Sequence, residues 1–306
     1  MPEKKLTVQV GERRLTLSNL DKPLYPSGYT KGEVVHFYTR IAPVLLPHLR
    51  GRPVTFVRFP DGTDGEAFFE KNLPRGAPEW VQTVTLPSSG SRSGRGPGTI
   101  TYALIEELPS LVWAAKLAAL ELHVHQWTVG PGPKRQSPDR LVFDLDPGEG
   151  ASVVECARVA ERLLEVLTAD RLTPLPKTSG SKGLQVCCGV RTRRPERTSV
   201  YAKAIAEQLA GEMPELVVAK MAKNLRVNKV FIDWSQNHVA KTTIAPYSLR
   251  GRDTPTASTP ITWDEVRACR TTAELTFTAD DVLHRIDEHG DLLADLDDTR
   301  VALPGR

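Results

Sequence analysis

Apolar and polar residues recur along this chain with two different periods, which predicts both strands and helices. Residues 6–17 alternate loosely, as in a short hairpin, and the segments VQTVTL and TITYALI flank a Gly-, Ser- and Arg-rich stretch, PSSGSRSGRGPG, at 87–98. We expect the latter pair to form a hairpin with a long tip that carries Arg92 and Arg95. Further strands are predicted at 53–58, 66–70, 141–146, 174–190 (two strands joined by a turn) and 230–234.

The helices are predicted by capping patterns and by helical spacing. Thr30 with Glu33 forms a capping-box pattern ahead of an apolar stripe, so a helix begins near residue 31. Ser152 with Glu155 precedes a helix that reaches about residue 168. Other helices are predicted at 109–122, 198–210, 262–270 and 280–296. Because strands and helices mix without a regular βαβ rhythm, the sequence predicts an α+β fold and no Rossmann fold.

Composition is that of a globular protein. The 306 residues, 40% hydrophobic and 25% charged, are enough to bury a sizeable core. No apolar run approaches the ~18 residues of a membrane span, and the start MPEKKLTVQV is no signal peptide. The four cysteines form no CxxC pair, which favours reduced structural thiols and a cytoplasmic location over a zinc site.

The net charge of +3 conceals a strong asymmetry. Residues 171–252 contain 15 Lys and Arg against 5 Asp and Glu, whereas residues 253–306 contain 5 against 12. The basic segment fits a polyanionic partner, although a solvated basic face would show the same composition.

Two aspartates lie in an apolar strand, LVFDLD. Side chains at i and i+2 of a strand point the same way, so Asp144 and Asp146 share one face with Val142, and Leu141, Phe143 and Leu145 share the other. Such a pair can bind a divalent metal through hard oxygen ligands, but an acid before Pro-Gly is also typical of an ordinary turn. An EF-hand is excluded, because Glu149 occupies the required glycine position.

A third acid lies in a second apolar strand. Asp233 of KVFIDW is predicted on the same face as Phe231, where it is placed to complete a metal site with the first pair. A solvated acid at a strand end is the simpler alternative.

Phosphate-binding chemistry is suggested by KTSGSKG at 177–183. Its glycines permit a tight turn whose amides, with Ser179, Ser181 and Lys182, could hold phosphate oxygens, and a plain hairpin turn is the alternative. The spacing is not that of a P-loop. Basic residues surround or follow Asp233: Lys223, Arg226, Lys229, Lys241, Arg250 and Arg252.

Aromatic and histidine residues before the acid pair allow two interpretations each. Phe68 and Phe69 are expected to place at least one ring in the core, and the alternative is stacking on a nucleic-acid base. His123 and His125, placed at the end of the predicted 109–122 helix, are either buried and satisfied or in reach of phosphate.

Several motifs, in this order and spacing, resemble the polymerase domain of bacterial ligase D, a member of the archaeo-eukaryotic primase superfamily. They are FDLDPGEG, KTSGSKGLQV, KVFIDWSQN and KTTIAPYSLRGR, supported by FFEKN, ELHVHQW and TWDEV. The resemblance implies a primase-polymerase core of mixed and antiparallel sheets flanked by helices. It treats residues 1–306 as one domain, with a DNA-binding part at about 1–130, a catalytic core at about 131–252 and acidic helices at about 253–306.

The resemblance also implies a template-directed nucleotidyltransferase that fills gaps and extends DNA ends in non-homologous end joining, with a preference for ribonucleotides. Two ions of Mn²⁺ or Mg²⁺ and nucleoside triphosphates are the implied cofactors and substrates. DNA ends, gapped DNA with a 5′-phosphate, a Ku-type protein and a DNA ligase are the implied partners, at the nucleoid and not at a membrane. The starting Met and the absence of ligase or nuclease motifs favour a freestanding protein or a deliberately designed chain.

Individual roles follow from the same resemblance. Asp144, Asp146 and Asp233 match the metal-binding catalytic triad; the nucleotide site matches Ser179, Lys182, Arg226, Gln236, Arg250 and His123; the DNA-binding set matches Asn19, Lys22, Lys31, Phe68 and Phe69. In the family, Asn19, Lys22 and Lys31 match a site for the downstream 5′-phosphate, and Phe68 and Phe69 match the pair that packs against the template strand. The loop 87–98 matches a hairpin that helps bring DNA ends together. Gln185 departs from the family, which often has a histidine there, so we expect weaker contact with triphosphate.

Two rival functions remain open on the sequence. The basic segment and the 87–98 loop also suit a non-catalytic DNA-end-binding and bridging module, for which the three acids have no use. A manganese-dependent glycosyltransferase with a DxD motif explains neither Asp233 nor the basic segment.

Overall fold

Two mostly antiparallel sheets carry the fold of this computed structural model, which describes residues 5–88 and 98–305. Its strands are β1 (Lys5–Val10), β2 (Arg13–Ser18), β3 (Pro53–Arg58), β4 (Phe68–Glu70), β5 (Thr83–Ser88), β6 (Gly98–Leu104), β7 (Ala119–Val124), β8 (Trp127–Val129), β9 (Arg135–Pro138), β10 (Arg140–Pro147), β11 (Leu175–Thr178), β12 (Leu184–Arg191), β13 (Val217–Val218), β14 (Val230–Asp233), β15 (Thr243–Ile244) and β16 (Val301–Ala302). Its helices are α1 (Lys31–Leu49), α2 (Leu108–Lys116), α3 (Val153–Ala169), α4 (Arg197–Glu212), α5 (Trp263–Ala268) and α6 (Ala279–His289). The mixture of elements agrees with the predicted α+β class.

The first sheet has the strand order β15-β7-β3-β6-β5, with β4 paired to β3. Helices α1 and α2 cover it, and α6 adds Val282 and Leu283 to the same core. The second sheet has the order β11-β12-β10-β14-β13, with β16 parallel to β12. Helices α3 and α4 cover its apolar face, so each sheet has its own hydrophobic core.

Capping explains why the predicted helix starts are accurate. Thr30 accepts a hydrogen bond from the amide of Glu33, and the Glu33 carboxylate accepts one from the amide of Thr30, which closes the capping box of α1. Ser152 and Glu155 form a capping box at the start of α3 in which the Ser152 hydroxyl also accepts from the amide of Val154. These interactions are local in sequence, so the residue pattern alone identifies them.

The prediction of one helix over 109–122 is wrong. Helix α2 ends at Lys116, Ala118 takes a left-handed φ of 56°, and the chain then enters β7. Strand β7 lies between β3 and β15, where Leu120, Leu122 and Val124 alternate with Glu121 and His123, and its first residues continue the apolar run of α2. A short apolar run of this kind does not distinguish a buried strand from a helix.

The C-terminal helices are shorter than predicted. Helix α5 covers Trp263–Ala268, and α6 ends at His289 because Gly290 adopts a positive φ of 65°. A separate short 3₁₀ helix then covers Ala294–Leu296. Helix α6 packs in the first core and α5 in the second, and the division at about residues 130 and 252 stays a prediction.

A network of charged side chains joins the two sheets. Arg52, just before β3, donates two hydrogen bonds to Asp139, just before β10, at 2.9 and 3.0 Å. Arg140 donates to Asp297 at 2.9 Å, and Arg300 pairs with Asp139 and Asp297. The network therefore ties the N-terminal sheet and the C-terminal segment to the strand that carries the aspartate pair.

The four cysteines are buried and free of disulfides, as expected. Within residues 5–88 and 98–305, no helix is both long and apolar enough to cross a membrane.

Candidate active site

Backbone register brings the three predicted acids to one face of the second sheet. Asp144 on β10 lies directly opposite Asp233 on β14, and Asp146 lies opposite Phe231. Side chains at paired positions point to the same face, so Asp144, Asp146 and Asp233 are neighbours. Phe143 and Leu145, which alternate with the two aspartates along β10, are fully buried on the other face, against α3, as the alternation predicts.

Hydrogen bonds hold two of the three carboxylates. Gln185 Nε2 donates to Asp144 Oδ1 at 3.0 Å, which directs the amide of Gln185 to the acid pair. Asp233 Oδ1 accepts from the amide and the hydroxyl of Ser235, at 3.1 and 2.6 Å. Gln236 Nε2 donates to Asp233 Oδ2 at 3.0 Å, so Gln236, predicted at the nucleotide, here contacts a predicted metal ligand.

Burial and mutual repulsion oppose the ionisation of Asp144 and Asp146. Burial, followed by repulsion from Asp146, raises the pKa of Asp144 well above its usual range, although the bond from Gln185 acts in the opposite direction. Burial and the charge of Asp233 raise the pKa of Asp146, against the attraction of Arg226 and Arg250. A cation between these groups would relieve the repulsion, as three hard oxygen ligands on adjacent strands allow.

The three carboxylates are hard oxygen ligands of the kind that divalent cations prefer. In this structure, hydrogen bonds from neighbouring side chains hold two of them, Asp144 and Asp233. Within residues 5–88 and 98–305, no three His, Cys, Asp or Glu side chains converge on a common point in the manner of a metal shell. The bonds from Ser235 and Gln236 occupy both oxygens of Asp233. Among the described residues, Asp233 Oδ2 accepts one hydrogen bond, so this oxygen keeps a lone pair for a metal ion.

The turn KTSGSKG forms the wall next to the carboxylates. The Ser179 hydroxyl accepts from the amides of Ser181 and Gly183, at 3.3 and 3.2 Å. Gly180 has a φ of 70°, and a Cβ on Gly183 would lie 2.0 Å from the Leu145 carbonyl oxygen, so the turn requires glycine at both positions. Lys182 is exposed at the tip of the turn.

A cleft of about 380 Å³ lies in front of the acids. Its lining includes ten side chains named by the motifs or found beside them: His123, Asp144, Asp146, Ser179, Lys182, Gln185, Arg226, Gln236, Arg250 and Arg252. Residues from both sheets contribute, since His123 belongs to β7 and the aspartates to β10. The structure therefore brings together all six predicted nucleotide-binding residues and two of the three acids in one cleft.

The two arginines of this cleft are held by defined contacts. The guanidinium of Arg226 lies 3.7 Å from the ring centroid of Phe231 and donates to the Met221 carbonyl at 2.6 Å. Arg250 pairs with Glu121 at 3.2 Å, and its buried Nε has no hydrogen-bond partner among the described residues. Both arginines are thus fixed close to the carboxylates and keep donors for an anion.

Glu121 is a site residue that the sequence analysis missed. Its Oε2 accepts from His123 Nε2 at 2.8 Å and contacts Arg250, and its Oε1 accepts from the amide of Gly251 at 3.0 Å. Burial opposes ionisation, but the contacts with His123 and Arg250 outweigh it and lower the pKa of Glu121. An acid within the apolar run ALELHV was the available signal, and it was hidden by the incorrect assignment of that run to a helix.

The two histidines have different environments. His123 lies on β7 at the cleft, and not at a helix end as predicted. His125 is buried, donates from Nδ1 to the Lys241 carbonyl at 2.9 Å and stacks on Trp127. Burial lowers the pKa of His125 to about 4, which identifies it as a neutral structural residue.

The predicted 5′-phosphate residues meet at the start of α1. The Lys22 amide donates to the Asn19 carbonyl at 3.0 Å, and the Lys31 amide donates to the Lys22 carbonyl at 2.9 Å. The Lys22 amine bonds to the Pro60 carbonyl and to Asp61. Backbone contacts therefore bring the three residues together, and their role in binding phosphate stays a prediction.

Phe68 and Phe69 both lie on the surface. Their exposed fractions are 45% and 59%, so the expectation that at least one is a core residue is wrong. They belong to β4, a three-residue strand that pairs with β3 of the first sheet. Phe69 contacts the ring of His123 edge-on at 6.4 Å, which places it near the cleft. The tip of the 87–98 loop, with Arg92 and Arg95, lies outside the described residues.

Comparison with known proteins gives a consistent result. The family model described as LigD, primase-polymerase domain, matches residues 30–293. A multifunctional non-homologous end joining protein LigD of Mycolicibacterium smegmatis is 47% identical over 286 residues, which are 93% of this chain and 36% of that protein. The bifunctional LigD of Bacillus subtilis is 31% identical over 280 residues, 90% of this chain and 43% of that protein. Thus the chain spans about a third to two fifths of the length of these relatives.

A solved structure shows the same architecture. The polymerase domain from Mycobacterium tuberculosis ligase D in complex with DNA superposes with a TM-score of 0.86 and 44% identity. The superposition covers 96% of this chain and 100% of that domain. These matches confirm the resemblance stated from the motifs and the α+β fold that it implies.

Proposed function

Because this chain belongs to the LigD primase-polymerase domain family, we propose that it is a DNA-dependent nucleotidyltransferase of non-homologous end joining. It would fill gaps and extend DNA ends, with nucleoside triphosphates as substrates and ribonucleotides preferred. The observation that carries the proposal is the register of Asp144 opposite Asp233, with Asp146 beside them, at a cleft lined by basic side chains. A pure DNA-binding surface gains nothing from three acids that would face phosphate.

The reaction joins the primer 3′-oxygen to the α-phosphorus of the nucleotide and breaks the bond to pyrophosphate. Asp144, Asp146 and Asp233 would hold Mn²⁺ or Mg²⁺, which supplies charge stabilisation for the attacking and leaving oxygens. Lys182, Arg226 and Arg250 bind and neutralise the triphosphate. Glu121 fixes Arg250 and orients the ring of His123 at the cleft, so Arg250 requires little reorganisation when substrate binds.

DNA contacts extend beyond the nucleotide site. Asn19, Lys22 and Lys31 would bind the downstream 5′-phosphate of a gap, and Phe68 and Phe69 would pack against the template strand. The exposure of both rings supports the second assignment, because surface aromatic residues provide a stacking platform for bases. A Ku-type protein and a DNA ligase are proposed partners at the nucleoid.

The direct test is nucleotide incorporation into a gapped duplex with a downstream 5′-phosphate, in the presence of manganese. We expect template-dependent extension by the unaltered chain, more with ATP than with dATP, and no extension by Asp144→Ala. Extension that persists in the variant would contradict the catalytic assignment. DNA binding by both proteins without extension by either would favour the non-catalytic end-binding module.

Removal of the Glu121 carboxylate should weaken nucleotide binding. In Glu121→Gln, the amide loses the charge that holds Arg250 and His123, and we expect the KM for the nucleotide to rise about tenfold, equivalent to ~1.4 kcal/mol. The rate at saturating nucleotide should change less, because the acids remain in place. Steady-state kinetics measure both, with the exposed Glu149→Gln as control. A fall in kcat of about tenfold with an unchanged KM would exclude this positioning role.

Loss of the two lysines should weaken recognition of the 5′-phosphate selectively. For Lys22→Ala/Lys31→Ala, we expect about tenfold or greater loss of affinity for a 5′-phosphorylated gap and little for the unphosphorylated gap, since charged hydrogen bonds are worth ~1.5–3 kcal/mol each. The salt dependence of binding should flatten by about 1 per lost phosphate contact. Fluorescence anisotropy provides the measurement, and Arg158→Ala/Arg267→Ala, two exposed arginines on α3 and α5, provides a control of equal charge. Equal loss for both gaps would count against the site.

A further inference from the structure

A second basic cleft lies at the opposite end of the second sheet. It has a volume of about 410 Å³, and Arg191, Arg193, Arg194 and Arg197 line it together with residues of the C-terminal segment. Arg191 ends β12, and the parallel pairing of β16 with β12 brings the C-terminal segment to the same place. None of these four arginines has a role in the proposed nucleotide site.

This cleft is distant from the carboxylates. Strand β12 begins at Leu184, and its residue Gln185 contacts Asp144. Arg191 follows six residues later, which corresponds to about 20 Å at ~3.3 Å per residue. A triphosphate in the first cleft does not reach the second, so the arginines there need a different anion.

Most of the positive charge of the cleft has no ion-pair partner among the described residues. Arg191, Arg193 and Arg194 are exposed, and across residues 5–88 and 98–305 none of them forms an ion pair. Arg197 donates to the Pro304 carbonyl, which carries no formal charge. The nearby carboxylates of Asp139 and Asp297 are already paired with Arg52, Arg140 and Arg300. Four guanidinium groups therefore line one cleft, and none of them has a carboxylate partner in the part of the chain that the structure describes.

We propose that this arginine cleft, defined by Arg191, Arg193, Arg194 and Arg197, binds the phosphate backbone of nucleic acid outside the active site. Guanidinium groups bind phosphate oxygens in a bidentate manner, and duplex DNA presents one charge per ~1.7 Å, so several phosphates can occupy such a cleft. The lining contains no aromatic or methionine side chain, which are the usual anchors of a protein interface. The inference rests on the proposed function only in that DNA is the substrate.

The arginine cleft is tested by DNA binding, separately from catalysis. The variant Arg193→Ala/Arg194→Ala alters two exposed residues between β12 and α4, so the fold should be retained, as a thermal melt will verify. The probe is a blunt 30-base-pair duplex without gap or 5′-phosphate, titrated from 50 to 200 mM salt. We expect a rise in Kd of about tenfold and a decrease in the salt slope of about 2, with ~0.9 for each lost phosphate contact.

Two comparisons separate this site from the active site. The control Arg158→Ala/Arg267→Ala removes the same charge elsewhere and should leave Kd within about twofold. Losses from the cleft variant and from Lys22→Ala/Lys31→Ala should be additive in free energy on a phosphorylated gap, because one pair lies at the start of α1 and the other between β12 and α4. Extension rates at saturating gapped DNA should equal those of the unaltered chain, so a failure of the proposed catalysis leaves the binding result interpretable.

Two outcomes would overturn the inference. One is a cleft variant with the same Kd and salt slope as the charge control. The other is unchanged DNA binding together with loss of poly-glutamate binding that the unaltered chain shows, which would make the cleft a docking site for an acidic protein segment.

Discussion

Asp233→Asn should lower nucleotide incorporation at least about a thousandfold, equivalent to ~4 kcal/mol of transition-state stabilisation. An amide in place of the carboxylate removes one negative charge from the group that would hold the divalent cations, and such metal ions contribute several kcal/mol to phosphoryl-type transfer. Asp233 lies directly opposite Asp144 in the strand pairing, so its carboxylate belongs to the same group as the aspartate pair.

The asparagine substitution is chosen to preserve the fold. Asp233 caps the short 3₁₀ helix Trp234–Asn237 by accepting from the Ser235 amide, and asparagine retains an oxygen for that bond. Single-turnover incorporation with manganese measures the chemical step, and DNA affinity should remain within a few-fold. Glu149→Gln, an exposed acid in the turn after β10, should retain full activity. Activity of Asp233→Asn within tenfold of the unaltered chain would remove Asp233 from the catalytic group.

Arg52→Met should lower the free energy of unfolding by about 3 kcal/mol, the lower end of the cost of removing one partner of a buried ion pair, because Asp139 keeps its pair with Arg300. Arg52 is only 1% exposed, and it donates to both oxygens of Asp139 and to the His125 carbonyl. Methionine retains much of the volume of the side chain but none of its donors. The Asp139 carboxylate then depends on Arg300 alone.

Urea unfolding followed by tryptophan fluorescence measures this effect. Arg267→Met, which breaks an exposed pair with Asp264, serves as control and should change stability little. The double variant Arg52→Met/Asp139→Asn also removes the negative charge of Asp139, so it should be more stable than the sum of the two single changes predicts. A loss below about 1 kcal/mol in Arg52→Met would show that the network does not contribute to the junction of the sheets.

Local interactions were predictable from the sequence because their residues are close along the chain. The capping boxes at Thr30 and Ser152 and the alternation of Asp144 and Asp146 with buried neighbours follow from repeat periods of the backbone itself. The ordered motifs added the family, which no periodicity contains. The prediction of a helix over 109–122 was wrong because an apolar run indicates burial, and burial alone does not specify helix or strand.

The third acid illustrates the limit of periodicity at the site. Alternation placed Asp233 on a strand face, but only the pairing of β14 with β10 sets it opposite Asp144. Glu121 is similar, since its contacts with Arg250 and Gly251 join residues about 130 positions apart. Such partners are separated by long stretches of chain whose packing no local pattern encodes.

The sequence by itself determined the helix starts, the face shared by Asp144 and Asp146, and the motifs of the family, because each depends on neighbouring residues or on their order. The tertiary structure alone decided that Phe68 and Phe69 are exposed, that Gln236 contacts Asp233, and that the C-terminal segment joins the arginines of 191–197 in a second cleft about 20 Å from the acids, six residues along β12 at ~3.3 Å each. These features depend on which strands pair and which faces remain uncovered. Both are settled by the burial of the two cores, where contacts between distant segments outweigh local preference.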